Sequence, residues 1–211
     1  MSEFCLSNSP SWMISEREVL INMITNKREL YDYLNADKRS LGRTARRPGF
    51  TDLIWKYEIH LRKCEYYHNC SQNILRKFLL FYHKYMRFRL GVKCGFIIPL
   101  NVCGKGLSLP HTGSIVINEN APIGEYCRIH VGVNIGAQAG DSKKAPHIGN
   151  YVYIAPGAKL FNDIKIGDWN AIGANAVVNK SFTQSGVTIA GIPAKVINNR
   201  GSRGIVYSGD K

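Results

Sequence analysis

Apolar positions along this chain follow two different periods, and the change near Phe96 divides it in two. Over residues 12–93 the spacing is three and four. In residues 14–34 the set Val19, Leu20, Met23, Ile24, Leu30 and Leu34 forms one stripe of an amphipathic helix. Ser15, with Glu18 three residues on, matches a capping box at its start. A basic turn over residues 38–48 precedes a second helix near 51–67. A third helix is expected over about 71–90, with Ser71 as a candidate cap. Its sequence, ILRKFLLFYHKYMRFRL, mixes aromatics with Lys and Arg. Such a helix packs an apolar stripe on its neighbours while basic side chains snorkel outward. The alternative is that it docks on a membrane surface or a lipid-linked substrate.

Beyond Phe96 the period becomes six. Branched aliphatics recur at Ile123, Ile129, Ile135, Ile148, Ile154, Leu160, Ile166, Ile172 and Val178, and Gly often follows them. A helix repeats at 3.6 and a strand at 2, so neither accounts for that spacing. A three-sided coil does: each hexad is a short strand and a turn, its first side chain stacks inside, and three hexads close a coil of about 18 residues. The repeat breaks twice. AQAGDSKKAPH (137–147) must leave the coil as a protruding loop, and loops on a rigid scaffold are where sites are usually built. Counting back from Ile123, SLPHTGSIVINENAP (108–122) keeps phase only if two extra residues are inserted, and this stretch contains His111.

Composition is that of an ordinary globular protein, 45% hydrophobic and 20% charged over 211 residues. No apolar run is long enough to span a bilayer and no signal core opens the chain, so a cytoplasmic protein is expected, with its six cysteines reduced. The cysteines form no CxxC pair, which argues against a zinc ribbon. A net charge of +13 calls for an anionic partner: nucleic acid, a membrane, or a phosphorylated ligand. Residues 1–95 hold 17 of the 28 Lys and Arg and 9 of the 15 Asp and Glu. With no run of five like charges in either half, a nucleic-acid tail is a poor reading.

PHTGSIVINENAPIGEYCRIHVGVNIGAQAG, IGNYVYIAPGAKLFNDIKIGDWNAIGANAVVNKS and IAGIPAKVI resemble serine acetyltransferases, and more closely the O-acetyltransferases of bacterial capsule and exopolysaccharide pathways. The resemblance covers roughly residues 95–200. It implies an α+β fold, with an α-helical region (1–94) ahead of a left-handed parallel β-helix (95–197), assembled as a homotrimer. The polar, Gly-rich tail (198–211) is expected to be flexible. Acetyl-CoA is the implied co-substrate, and no metal is expected.

In that family the histidine of an Asp-His-x-x-Gly segment is the base, which maps onto His111 in Pro110-His111-Thr112-Gly113. Imidazole suits that task because its ordinary titration range lies near neutral pH. Family position also implies acetyl-CoA contacts at Gly136, Ala155, Gly157, Ala174 and Ala190, with Lys180 and Lys195 near the phosphates. Pro110, His130 and Asn134 are candidates for the acceptor side. Three departures stand out: Pro110 replaces the family aspartate, Phe96 falls where the imidazole-orienting aspartate would be, and Ala145 replaces a loop histidine. They imply an acceptor other than free serine, namely a sugar hydroxyl on a nucleotide sugar, a lipid-linked unit or a polymer. The orienting group for His111 is left open among Glu119, Asn134 and a backbone carbonyl. Serine O-acetylation and a non-catalytic scaffold are the alternatives. A zinc site built from His111, His130 and His147 is disfavoured, because the five-apart pair of β-helical carbonic anhydrases is missing.

Overall fold

The computed structural model describes residues 23–70 and 73–207. Three helices come first: α1 (Lys27–Ser40), α2 (Leu53–Asn69) and α3 (Ile74–Cys94). Each has a side-chain cap, from Asn26, Asp52 and Asn73, whose oxygens accept the backbone N–H of Glu29, Trp55 and Arg76. The first helix among the described residues starts at Lys27, and the Ser15 and Ser71 caps expected from sequence lie outside the described residues. His60 and His83 meet at the α2–α3 contact with their Nδ1 atoms 2.8 Å apart. Burial pushes both imidazoles down to about 4, so both are neutral at pH 7.

After α3 the chain winds as a parallel β-solenoid with three faces. The first face stacks β1 (Phe96–Ile97), β2 (Ile115–Ile117), β4 (Asn134–Gly136), β7 (Lys159–Phe161) and β10 (Val177–Val178). The second stacks β3 (Arg128–Ile129), β6 (Tyr153–Ile154), β9 (Ala171–Ile172), β11 (Thr188–Gly191) and β12 (Ala194–Asn198). The third pairs β5 (His147–Ile148) with β8 (Lys165–Ile166), extended by bridges from Cys103 to Ile123 and from Ile123 to Ile148. All nine hexad aliphatics are buried, none more than 5% exposed. At about 1.5–3 kcal/mol for each buried aliphatic, this stack is the main stabilising element of the solenoid. The antiparallel β11–β12 hairpin, IAGIPAKVI, covers the last edge strand of the second face.

At the corner between the third and second faces, Tyr126, Tyr151 and Trp169 hold positive φ and stack as a ladder, 5.3 Å and then 4.1 Å apart. The segment after Asn198 crosses this ladder as turns rather than hanging free. Ser202 is fully buried and donates to the Tyr151 carbonyl, and Arg203 lies over Trp169. Gly201 permits that crossing, because a Cβ on it would collide with the Trp169 carbonyl. Residues 208–211 lie outside the described residues.

The helices are fastened to the first coils by a buried guanidinium. Arg62 donates to Asp37 (2.7 Å), Glu65 (3.0 Å) and the carbonyls of Cys103 (2.8 Å) and Gly104 (2.6 Å). Asp37 and Glu65 in turn accept the backbone N–H groups of Leu107 and Asn101. The arginine fork suits a site where every donor must find a partner away from water. Along α3, in contrast, Ile74, Leu75, Phe78, Phe81, Tyr82, Tyr85, Phe88 and Val92 are exposed. Among the described residues no helix is long and apolar enough to cross a membrane.

Candidate active site

His111 sits where the solenoid's count slips. Ser108 bridges to Arg128 and Ile117 pairs with Ile135, so Leu109 and Ile117 occupy successive interior positions eight residues apart instead of six. The two surplus residues widen the corner at 110–114, and His111 and Thr112 stand exposed on it. The helical region grips this turn from behind: Gly113 N–H donates to the Cys94 carbonyl at 2.7 Å, and Ile115 N–H to the Gly95 carbonyl at 2.9 Å. Two glycines make the approach possible. Gly95, at φ 81°, ends α3 in a left-handed cap, and a Cβ on it would sit 2.8 Å from the Gly113 carbonyl carbon. Gly113, at φ 142°, has no room for a Cβ beside Val131.

One coil on, His130 occupies the same corner, its ring 5.8 Å from that of His111. It is 9% exposed, meets Tyr153 edge to face at 5.1 Å, and faces Arg128 Nε at 3.4 Å. Burial lowers its imidazole to about 4, with Arg128 and His111 adding to the effect, so at pH 7 it is neutral. Below His130 the corner continues through Gly132, Gly157 and Asn175 with very little bulk. A Cβ on Gly132 would lie 3.2 Å from Gly157, and one on Gly157 would strike Asn175. The result is a corner of closely stacked small residues running from His130 toward the β11–β12 hairpin.

Of the residues expected to meet acetyl-CoA, Ala155, Gly157 and Ala174 fall on this corner, and Ala190 lies one coil beyond in β11, paired with Lys195 of β12. Gly136 and Lys180 do not join them. Gly136 ends β4 at the opposite margin of the first face, and Lys180 lies past β10 with its ammonium 5.5 Å from the Phe182 ring. The 137–147 loop also springs from that far margin, closed by Gln138 N–H on the Lys144 carbonyl and tied to Asn120 through Ser142. Asn134 lies in the outward row of the first face between Val116 and Lys159, and Glu119 on the exposed turn after β2. Phe96 is a core residue, edge to face with Tyr57 at 5.2 Å, and Ala145 is fully buried.

His147, expected in the loop, instead begins β5 on the third face opposite Lys165. There it lines a groove of about 490 Å³ with Glu125, Asn150 and Asp168, and His111 is not part of that groove. The three solenoid histidines therefore do not converge. Among the described residues no group of three His, Cys, Asp or Glu side chains could hold a metal ion. A second hollow, about 410 Å³, opens at the His111 turn itself. Thr112 closes one side, and Arg43, Thr51 and Asp52 of the α1–α2 connection, with Leu53 and Ile54 at the start of α2, close the other. Sequence reasoning missed this wall because nothing in the period of residues 41–52 says which coil they will face. The basic run GRTARRP was the one signal available.

No family model matches the chain. Its sequence is similar to the serine acetyltransferase of Synechococcus elongatus, 39% identical over 101 residues, which is 47% of this chain and 41% of that one. It is also similar to that of Staphylococcus epidermidis, 37% identical over 118 residues, 56% of this chain and 54% of that one. The chain thus spans about half the length of the relatives it matches. Among solved structures, the serine acetyltransferase of Brucella abortus in complex with coenzyme A superposes with a TM-score of 0.63 at 26% identity, over 83% of this chain and 70% of that one. A second structure of the Brucella abortus serine acetyltransferase gives 0.62 at 25%, over 83% and 72%. A serine-acetyltransferase-like hexapeptide-repeat architecture is common to all of these.

Proposed function

We propose that the chain is an acetyl-CoA-dependent O-acetyltransferase of the serine acetyltransferase type, with His111 as its base. The observation that carries this reading is the exposed imidazole of His111 on the widened turn, at the head of a corner of closely stacked small residues. His111 takes the proton of an acceptor hydroxyl as its oxygen attacks the thioester carbon. The oxyanion is met by backbone N–H donors, the C–S bond then breaks, and the coenzyme A thiolate recovers the proton. Ala155, Gly157, Ala174 and Ala190 would let the pantetheine arm lie against the main chain, with Lys195 at its phosphate end.

The relatives' names favour serine as acceptor over the saccharide suggested by Pro110, Phe96 and Ala145, and with it a place in cysteine synthesis. The saccharide reading stays as the second possibility, because those three losses remove much of the apparatus for a zwitterion. A homotrimer fits this arrangement: the 137–147 loop, Gly136 and Lys180 lie across the first face from His111, and a neighbouring prism would bring such a margin to it. On α3, six Lys and Arg without one acidic residue accompany the exposed apolar stripe, which suits peripheral contact with an anionic bilayer.

Thiol release from acetyl-CoA, followed with serine and then with a panel of sugars, tests the activity. Turnover by the wild type and its loss by 10²-fold or more in His111→Ala, with circular dichroism unchanged, is expected. Near-normal rates in that variant would remove His111 from the mechanism. No turnover with any acceptor, joined to no binding of coenzyme A, would favour the scaffold.

A further inference from the structure

Beside His111 lies a cation that the chemistry above does not use. The outward row of the second face reads Ser108, Arg128, Tyr153, Ala171 and Thr188 from coil to coil, and Arg128 is its one charged member. Arg128 is half-buried, and its Nε faces the neutral His130 ring, which separates it from His111. The ion pairs of the solenoid among the described residues are Lys105–Glu125 and Lys144–Asp141, so Arg128 has no counter-ion there. A guanidinium withdrawn from bulk water gains most from an anion that completes its paired hydrogen bonds.

The surroundings favour an anion as well. Glu58 is the buried carboxyl close to the Leu109 main chain, and burial, reinforced by Asp37, holds it well above the usual carboxylate range. Asp52 is engaged by Arg43 at 2.8 Å. The corner beside His111 thus carries one uncharged imidazole and, behind it, the Arg128 guanidinium.

We propose that Arg128 is the acceptor-reading residue: it binds a carboxylate or phosphate on the substrate and so holds the substrate's hydroxyl against His111, with His130 as the uncharged floor between them. This rests on the reading of His111 as the base of acetyl transfer. Arg128 touches the anionic group and not the reacting atoms, so it is a positioning and specificity residue. It selects acceptors that pair a hydroxyl with a nearby negative charge, whether an amino acid, a sugar acid or a sugar phosphate. Neutral sugars are disfavoured.

Matched acceptors that differ only in charge test this: serine against serinamide, glucuronate against glucose, and glycerol 3-phosphate against glycerol. The wild type is expected to prefer the charged member of at least one pair. Arg128→Gln should raise KM for that member tenfold or more while leaving KM for acetyl-CoA, and rates with the neutral member, within twofold. Arg128→Lys should recover part of the loss, because it restores charge without the fork. Preference for neutral members throughout, or equal effects of Arg128→Gln on both members, overturns the proposal. If none is acetylated, titration calorimetry with serine, glucuronate and inorganic phosphate decides it. Binding lost in Arg128→Gln sustains the proposal, and its absence in the wild type overturns it. Coenzyme A binding and the His111→Ala rates report separately on the activity itself.

Discussion

Replacing Arg62 by alanine is expected to bring the protein close to the limit of folding. The side chain is fully buried and serves two carboxylates and two carbonyls that have no access to water. Breaking a buried ion pair by removing one partner costs about 3–5 kcal/mol. Each carbonyl left unsatisfied adds about 1–3 kcal/mol. Entry of water into the vacated volume and protonation of the carboxylates recover part of this, which leaves a net loss of roughly 4–6 kcal/mol, against typical stabilities of about 5–15 kcal/mol. The loss also depends on pH. Burial already raises Asp37 and Glu65, and Arg62 is what pulls them back down. Without it their folded-state pKa values climb further above the unfolded ones. A carboxyl raised in the folded state stabilises below its unfolded pKa and loses that contribution as pH rises through the folded pKa. The deficit should therefore shrink from pH 7.5 to pH 5. Urea unfolding followed by circular dichroism at both pH values measures it. A deficit under about 1 kcal/mol, or one unchanged between the two pH values, would refute the account of Arg62 as the fastening between helices and solenoid.

Two further outcomes follow from the same reasoning. Burial raises the Glu58 carboxyl in the folded state, so its contribution to stability should decline as pH rises from about 4.3 through the folded pKa, and Glu58→Gln should flatten that decline. Parallel urea midpoints for the two proteins from pH 5 to pH 9 would show that Glu58 is already ionised when folded. On α3, wild type should sediment with phosphatidylglycerol vesicles and not with phosphatidylcholine ones, and Phe81→Asp with Phe88→Asp should abolish it. Salt-independent binding, or self-association in place of vesicle binding, would contradict a peripheral electrostatic contact.

The solenoid was legible in the residues themselves, because interior stacking requires a bulky aliphatic at every sixth position and tolerates almost nothing else there. All nine predicted positions are buried for that reason. The anomaly at 108–122 was legible too: a step of eight residues from Leu109 to Ile117 cannot follow a six-residue edge, so the chain must bulge where His111 lies. Helix ends were less so, since Asn26 and Asn73 cap as well as any serine and the surrounding sequence does not rank them. Tertiary structure alone decided which long-range neighbours share the site. Whether Arg62 spends its charge on Asp37 and Gly104, and whether the tail folds over an aromatic ladder or stays free, depends on groups distant in the chain. So does the placing of Arg43 and Thr112 on one hollow and of His130 between Arg128 and His111. Periodicity is a local property that each residue carries with its neighbours. The polarity of a site is set by which distant side chains exclude water from one another, and that is settled only when the coils stack.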